Sequence, residues 1–251
     1  KYFNYCTGLT MTNGHFDQLF EGPARKPEDK LTQREMNLAA SIQRVIEVVV
    51  LKLTKSLAEE SGCKNLCLAG GVALNCVANG HVLKDKQFEN IWIQPASGDA
   101  GGALGAALMA YHGYAKQTRQ PQGTRDLMKG AYLGPEFSQV EIEKQLKDAN
   151  AVFHVLTQEQ MLDQSASALA DAKAIGWFQG RMEFGPRALG SRSIIGDSRS
   201  PEMQKTMNLK IKYRENFRPF APSVRAKNVS EYFEIDRESP YMLLVADVKK
   251  D

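Results

Sequence analysis

Two stretches of the chain gather side chains suited to holding an anion. FQGRMEFGPRALGSRSIIGD, residues 178–197, sets Arg181, Arg187 and Arg192 among Gly180, Gly185, Gly190 and Gly196. Glycine lets backbone come close to a ligand, and guanidinium forks match paired anionic oxygens. KIKYRENFRPFAPSV, residues 210–224, adds Lys210, Lys212, Arg214 and Arg218. Phe184, Ile194, Ile195, Phe217 and Phe220 are interleaved, which a purely solvated basic face does not need. Arg187, Arg192, Lys212 and Arg218 are therefore read as contacts to phosphate or acyl phosphate, converging on one small guest. Arg214 and Lys210 are read as plain surface. Glu183 and Glu215 stand close enough in sequence to pair with some of these arginines, and exposed pairs of that kind stabilise little.

Two further segments carry glycines beside a polar residue. In LAGGVALN, residues 68–75, a short apolar run ends in Gly70–Gly71 and opens a helical pattern. Free backbone N–H groups at such a place suit an anion or nucleotide, and the Asn75 amide, one turn in, could reach a ribose or base. From this octet alone an ordinary tight turn is the better reading, since Gly-Gly turns are common and this is no Walker pattern. In PASGDAGGALG, residues 95–105, Asp99 follows a second strand-like run. Its carboxylate suits a hard or borderline cation, or serves as a helix cap. The repetition at two successive strand ends favours a ligand, because ligands of open α/β sheets gather at the carboxyl ends of strands.

The elements that must position these residues follow from periodicity. Ile42, Val45, Ile46, Val49, Leu53 and Leu57 recur at helical steps, predicting an amphipathic helix after a turn-rich opening over 1–35. Strands are expected at 65–69 and 88–94, with helices at 72–83 and 102–115. That alternation argues for an α/β layer with a largely parallel sheet. Gln117, Gln120, Pro121, Gln122, Gly123, Gly134 and Pro135 mark a linker. Ser138 with Glu141 and Thr157 with Gln160 are capping-box spacings, placing helices near 139–149 and 158–172. A strand at 174–178 leads into the glycine–arginine segment. Ser200–Pro201 opens a helix with Met203, Met207 and Ile211, and a last strand spans 241–248.

Composition narrows the classes. A chain of 251 residues with 43% hydrophobic residues can build a core. Its net charge of +3 is too small to argue for nucleic acid. Cys6, Cys63, Cys67 and Cys76 lack the spacing of a zinc site, and His15, His81, His112 and His154 are not paired at metal spacing. No stretch is long and apolar enough to span a membrane. The cysteines are read as buried free thiols in a reducing compartment, and with no secretory signal they point to the cytoplasm. No Walker pattern and no Gly-x-Ser-x-Gly elbow occurs.

LAGGVALNC, QPASGDAGGALGAAL, FQGRMEFGPRALGSRSI and IKYRENFRPFAPSV together closely resemble the O-carbamoyltransferases of the nodulation and antibiotic-tailoring type. These include the Nod-factor, cephamycin and tobramycin carbamoyltransferases. The resemblance runs over most of the chain. It implies residues 1–120 as the C-terminal part of a sugar-kinase/actin-like domain, similar to tRNA threonylcarbamoyl transferase, and residues 121–251 as an incomplete YrdC-like α/β domain. It further implies that ATP and carbamoyl phosphate form carbamoyl adenylate, and that the carbamoyl group passes to a hydroxyl of a glycan or small-molecule acceptor near a divalent metal, iron or zinc. Carried over by position, Gly70, Gly71 and Asn75 would contact the adenylate and Asp99 would ligate the metal. Lys212 and Arg218 would hold carbamoyl phosphate, with Arg187 and Arg192 in the same pocket.

Members of that family also carry a His-x-x-x-His metal pair in a first half that this sequence lacks. The chain is accordingly read as an internal fragment, expected not to complete the whole reaction. The competing reading is a nucleotide-binding regulatory module that kept the fold and lost the chemistry.

Overall fold

The computed structural model describes residues 2–4, 6, 8, 11–120, 123 and 126–250. Pro121 and Gln122 of the expected linker lie outside them. The chain divides into two units, 1–52 and 53–251, and the expected boundary at 120/121 falls inside the second.

In the first unit, helix α1 (Gly14–Leu19) occupies part of the segment expected to be a loop. Asn13 caps it by accepting from His15 N, which satisfies a donor the helix cannot. Phe16 anchors an aromatic group with Tyr2, Phe3 and Phe20. Arg34 donates to the carbonyls of Phe20, Gly22 and Pro23 and so closes the turn before helix α2 (Gln33–Ser61). That helix is longer than expected and runs into the second unit. Its periodic apolar face is not buried among the described residues: Ile42 is 56% exposed and Leu53 64%, whereas Glu47 is buried and held by Gln43 and Arg44. Periodicity marks a face that buries something without saying what.

The second unit contains a β–α–β arrangement. β1 (Asn65–Leu68) and β2 (Asn90–Ile93) pair in parallel, Leu66 opposite Ile91. The crossover is a 3-10 turn (Gly71–Leu74) and helix α3 (Cys76–Asp85). One helix was expected here. Asn75 divides it, because its side chain leaves the helical path to accept from Ala78 N as a cap. Helix α4 (Asp99–Leu108) begins at Asp99, with Gly98 as its cap, and passes into a π-helical turn (Met109–Tyr114).

Helices α5 (Gln139–Asp148) and α6 (Gln158–Ala170) both open on complete capping boxes, at Ser138–Glu141 and Thr157–Gln160. β3 (Ile175–Phe178) and β4 (Arg192–Ile195) form an antiparallel pair with Phe178 opposite Arg192; β4 was not expected. Helix α7 (Met203–Thr206) is a single turn continued by a π-helical turn (Met207–Ile211), and α8 (Val229–Tyr232) is another single turn.

The expected strand at 241–248 is irregular backbone, with one isolated bridge from Val248 to Phe233. Its alternation is real, since Tyr241 and Leu243 are buried, but no strand among the described residues lies beside it. It packs on α3 instead: Asn79 donates to Leu243 O at 3.0 Å, and a Cβ on Gly80 would lie 2.8 Å from Val245 O. Ala73, Ile93, Met128, Ala131, Tyr241 and Leu243 form the core, flanked by Leu68, Leu74, Phe184 and Leu189. This core therefore lies directly under the turn at 70–75 and the glycine–arginine segment.

Candidate functional site

The two strand-end turns are joined to each other. Gly70 N donates to Ser97 O at 3.0 Å, so the turn after β1 rests on the turn after β2. Gly70 and Gly71 face open space where a side chain would sit. Asn75 is committed to capping α3, a role the alternative of an ordinary turn had covered.

Onto these turns folds the loop between β3 and β4. Its base is clasped by Glu183, whose Oε1 accepts from Leu189 N at 2.7 Å, Ser191 N at 2.8 Å and Arg192 N at 3.4 Å. The residue is only 7% exposed. Burial pushes the carboxyl's pKa up, but the backbone donors of Leu189, Ser191 and Arg192 outweigh it and hold the group below its usual value. Glu183 is thus not an ion partner of arginine, as its neighbourhood had suggested, but the acceptor of a small nest of N–H groups. Phe184 N donates to Ala131 O at 2.6 Å, Tyr132 Oη donates to Leu189 O at 2.6 Å, and the Phe184 and Leu189 side chains pack on the core. Phe184 is therefore interleaved among cations because it anchors the loop.

At the tip, Gly185 has φ 145°, and a Cβ there would lie 3.1 Å from Pro95 O. Only glycine combines that backbone with that approach. Arg187 follows, its Nη2 donating to Leu74 O at 3.1 Å. The guanidinium thus satisfies a carbonyl at the end of the 71–74 turn. Its Nε is buried with no hydrogen-bond partner among the described residues. The Gly70–Asn75 turn and Arg187, far apart in sequence, meet through the bond to Leu74 O.

Arg192 and Arg218 each hold local partners of their own. Arg192 opens β4, stacks 3.4 Å from the Phe178 ring centroid, and donates to the carbonyls of Gln179, Gly180 and Ser191. Beside it is a shallow depression of about 380 Å³ lined by Tyr132, Glu136, Gln179, Gly180, Arg181 and Ser191. Arg218 pairs with Glu215 at 2.8 Å, both exposed. Lys212 follows the 207–211 turn, with its side chain exposed.

Asn208, fully buried, went unnoticed in the sequence. It donates to Asn216 O at 3.1 Å and Arg218 O at 2.7 Å, and accepts from Arg214 Nε at 2.6 Å. Arg214, read as plain surface, is instead locked to it and stacks over Phe220. Phe217, one of the apolar residues interleaved among the cations, is 66% exposed. A polar residue beside Met207 in an apolar helical stretch was the available signal.

Asp99 is exposed in the first turn of α4. Among the described residues no three His, Cys, Asp or Glu side chains gather as a metal site. The described residues by themselves thus supply no complete donor set for a metal, and Cys6, Cys63 and Cys67, expected as buried thiols, are exposed. No helix among the described residues is long and apolar enough to cross a membrane.

Comparison with known proteins adds a second line of evidence. Residues 1–108 match the family described as carbamoyltransferase N-terminus, and residues 166–251 the one described as carbamoyltransferase C-terminus. An uncharacterised protein of Synechocystis sp. is 60% identical over 100% of this chain and 41% of its own length. Nodulation protein NolO of Bradyrhizobium diazoefficiens is 36% identical over 94% of this chain and 44% of its own length. Nodulation protein NolNO of Sinorhizobium fredii is 39% identical over 87% and 32%, respectively. The chain thus spans less than half the length of these curated relatives.

Proposed function

The chain belongs to the carbamoyltransferase family, and from that premise we propose that it contributes the nucleotide- and acyl-phosphate-handling part of an ATP-dependent O-carbamoyltransferase of the nodulation type. The observation that carries this reading is the seating of Arg187. It ties the glycine–arginine loop to the Gly70–Gly71 turn, and it leaves a buried guanidinium N–H without a partner among the described residues. Such a donor suits an anionic ligand better than a purely structural role, because an unsatisfied buried N–H is costly.

In this reading ATP lies against Gly70, Gly71 and Arg187. Lys212 and Arg218 neutralise carbamoyl phosphate, which requires Arg218 to exchange Glu215 for the substrate. Fixed cations matter here because two polyanions must approach each other. Water splits carbamoyl phosphate into carbamate and phosphate, and a carbamate oxygen then bonds the α-phosphorus of ATP and displaces pyrophosphate, giving carbamoyl adenylate. The adenylate then surrenders its carbamoyl group to an acceptor hydroxyl, such as that of a glycan. Shielding the adenylate from water is part of the task. We further propose a cytoplasmic location, and a fold made of part of a sugar-kinase/actin-like domain followed by part of a YrdC-like one.

The test is carbamoyl-phosphate-dependent exchange of pyrophosphate into ATP by the full-length protein. The expected result is exchange that falls roughly a hundredfold in Lys212→Ala or Arg218→Ala, as for a lost charged transition-state contact. ATP binding with no exchange would support the regulatory module and overturn the proposal.

A further inference from the structure

We propose that Glu183 is a positioning residue: by clasping the backbone of residues 189–192 it fixes the loop that carries Arg187, and through Arg187 it sets the Gly70–Asn75 turn. The inference rests on the reading above for its consequence in turnover, but its geometry stands alone. The loop leaves β3, passes through Glu183 and returns to β4 at Arg192. One carboxylate oxygen accepts the three returning N–H groups, so the two ends of the loop are joined at a single atom. Between those ends the Gly185 backbone rests on Pro95 and Arg187 reaches Leu74 O. A carboxylate acceptor makes stronger bonds than a neutral one, so the clasp needs the charge as well as the oxygen. Movement of the clasp moves the arginine. Movement of the arginine in turn releases the carbonyl that ends the turn.

Backbone amide hydrogen exchange on the full-length protein, read at individual residues, tests this directly. Gly70 N, Ala73 N and Asn75 N are hydrogen-bonded to Ser97 O, Gly70 O and Val72 O and report the turn. Leu189 N and Ser191 N report the clasp. In Glu183→Ala both groups are expected to exchange roughly tenfold faster or more. In Glu183→Gln, which keeps an acceptor oxygen, both are expected to recover part of the way. Arg187→Ala, the second variant should Glu183→Ala not fold, is expected to accelerate Ala73 and Asn75 while sparing Leu189 and Ser191.

A merely structural clasp would alter 189–192 alone. Exchange at Ala73 and Asn75 unchanged from the wild type in Glu183→Ala, or in Arg187→Ala should the first not fold, overturns the inference. Turnover adds a readout: in Glu183→Gln, kcat of pyrophosphate exchange is expected to fall roughly tenfold while KM for ATP moves less than about threefold. Should the wild-type protein show no such exchange, the proposed function falls while the amide readout still decides the role of Glu183.

Discussion

Asn208 shows how much one buried amide can organise. Its side chain satisfies two carbonyls, those of Asn216 and Arg218, and receives the Arg214 guanidinium. Removing it takes the side-chain partner from the Asn216 carbonyl and from Arg214 Nε, while Gln204 Nε2 still donates to Arg218 O, and each group left unsatisfied costs about 1–3 kcal/mol. Asn208→Ala is therefore expected to lower stability by roughly 2–4 kcal/mol, read as a drop in the urea midpoint with an unchanged slope. A loss below about 0.5 kcal/mol would mean the 214–218 loop holds itself, as an ordinary surface loop does. The same residue marks a limit of sequence reading. Arg214 and Arg218 are equally basic on paper, yet the first is fixed on Asn208 and Phe220 while the second rests on an exposed carboxylate. Residue type gave the chemistry each side chain is able to do; only three-dimensional partners distinguish which does it.

At the scale of elements, local signals were legible and non-local ones were not. Both capping boxes sit where their spacing put them, because a cap is a contact between residues three apart. β1, β2 and β3 likewise begin and end within a few residues of their apolar runs. The segment at 241–248 has the alternation of a strand but lacks a neighbouring strand among the described residues, so the pattern produced burial without a ladder. The α2 face was legible as apolar and not as exposed.

The turn after β2 carries its own prediction. A Cβ on Gly101 would lie 2.0 Å from Ala96 O, a distance no side chain tolerates. Gly101→Ala must shift backbone at the turn on which Gly70 and Gly185 both rest. It is expected to destabilise by roughly 1–3 kcal/mol, measured by thermal unfolding. Gly102→Ala, where the added methyl meets nothing within 4 Å, is expected to be neutral or slightly stabilising in the same helix. Equal effects of the two substitutions would contradict the close approach.

At the scale of the whole molecule, segments far apart in sequence meet over one core. The Gly70–Asn75 turn, the 95–102 turn and the 183–191 loop are linked by Gly70 to Ser97, Gly185 against Pro95, and Arg187 to Leu74. Each turn alone is ordinary, and the assembly is not. Arg218 belongs to a different loop, whose carbonyls at 216 and 218 Asn208 holds. The most direct test is a crystal structure of the full-length protein with ATP and carbamoyl phosphate bound. The account predicts nucleotide density against Gly70 and Gly71, with an oxygen within hydrogen-bond reach of Arg187. Nucleotide seated away from that turn, with Arg187 still holding only the Leu74 carbonyl, would contradict it.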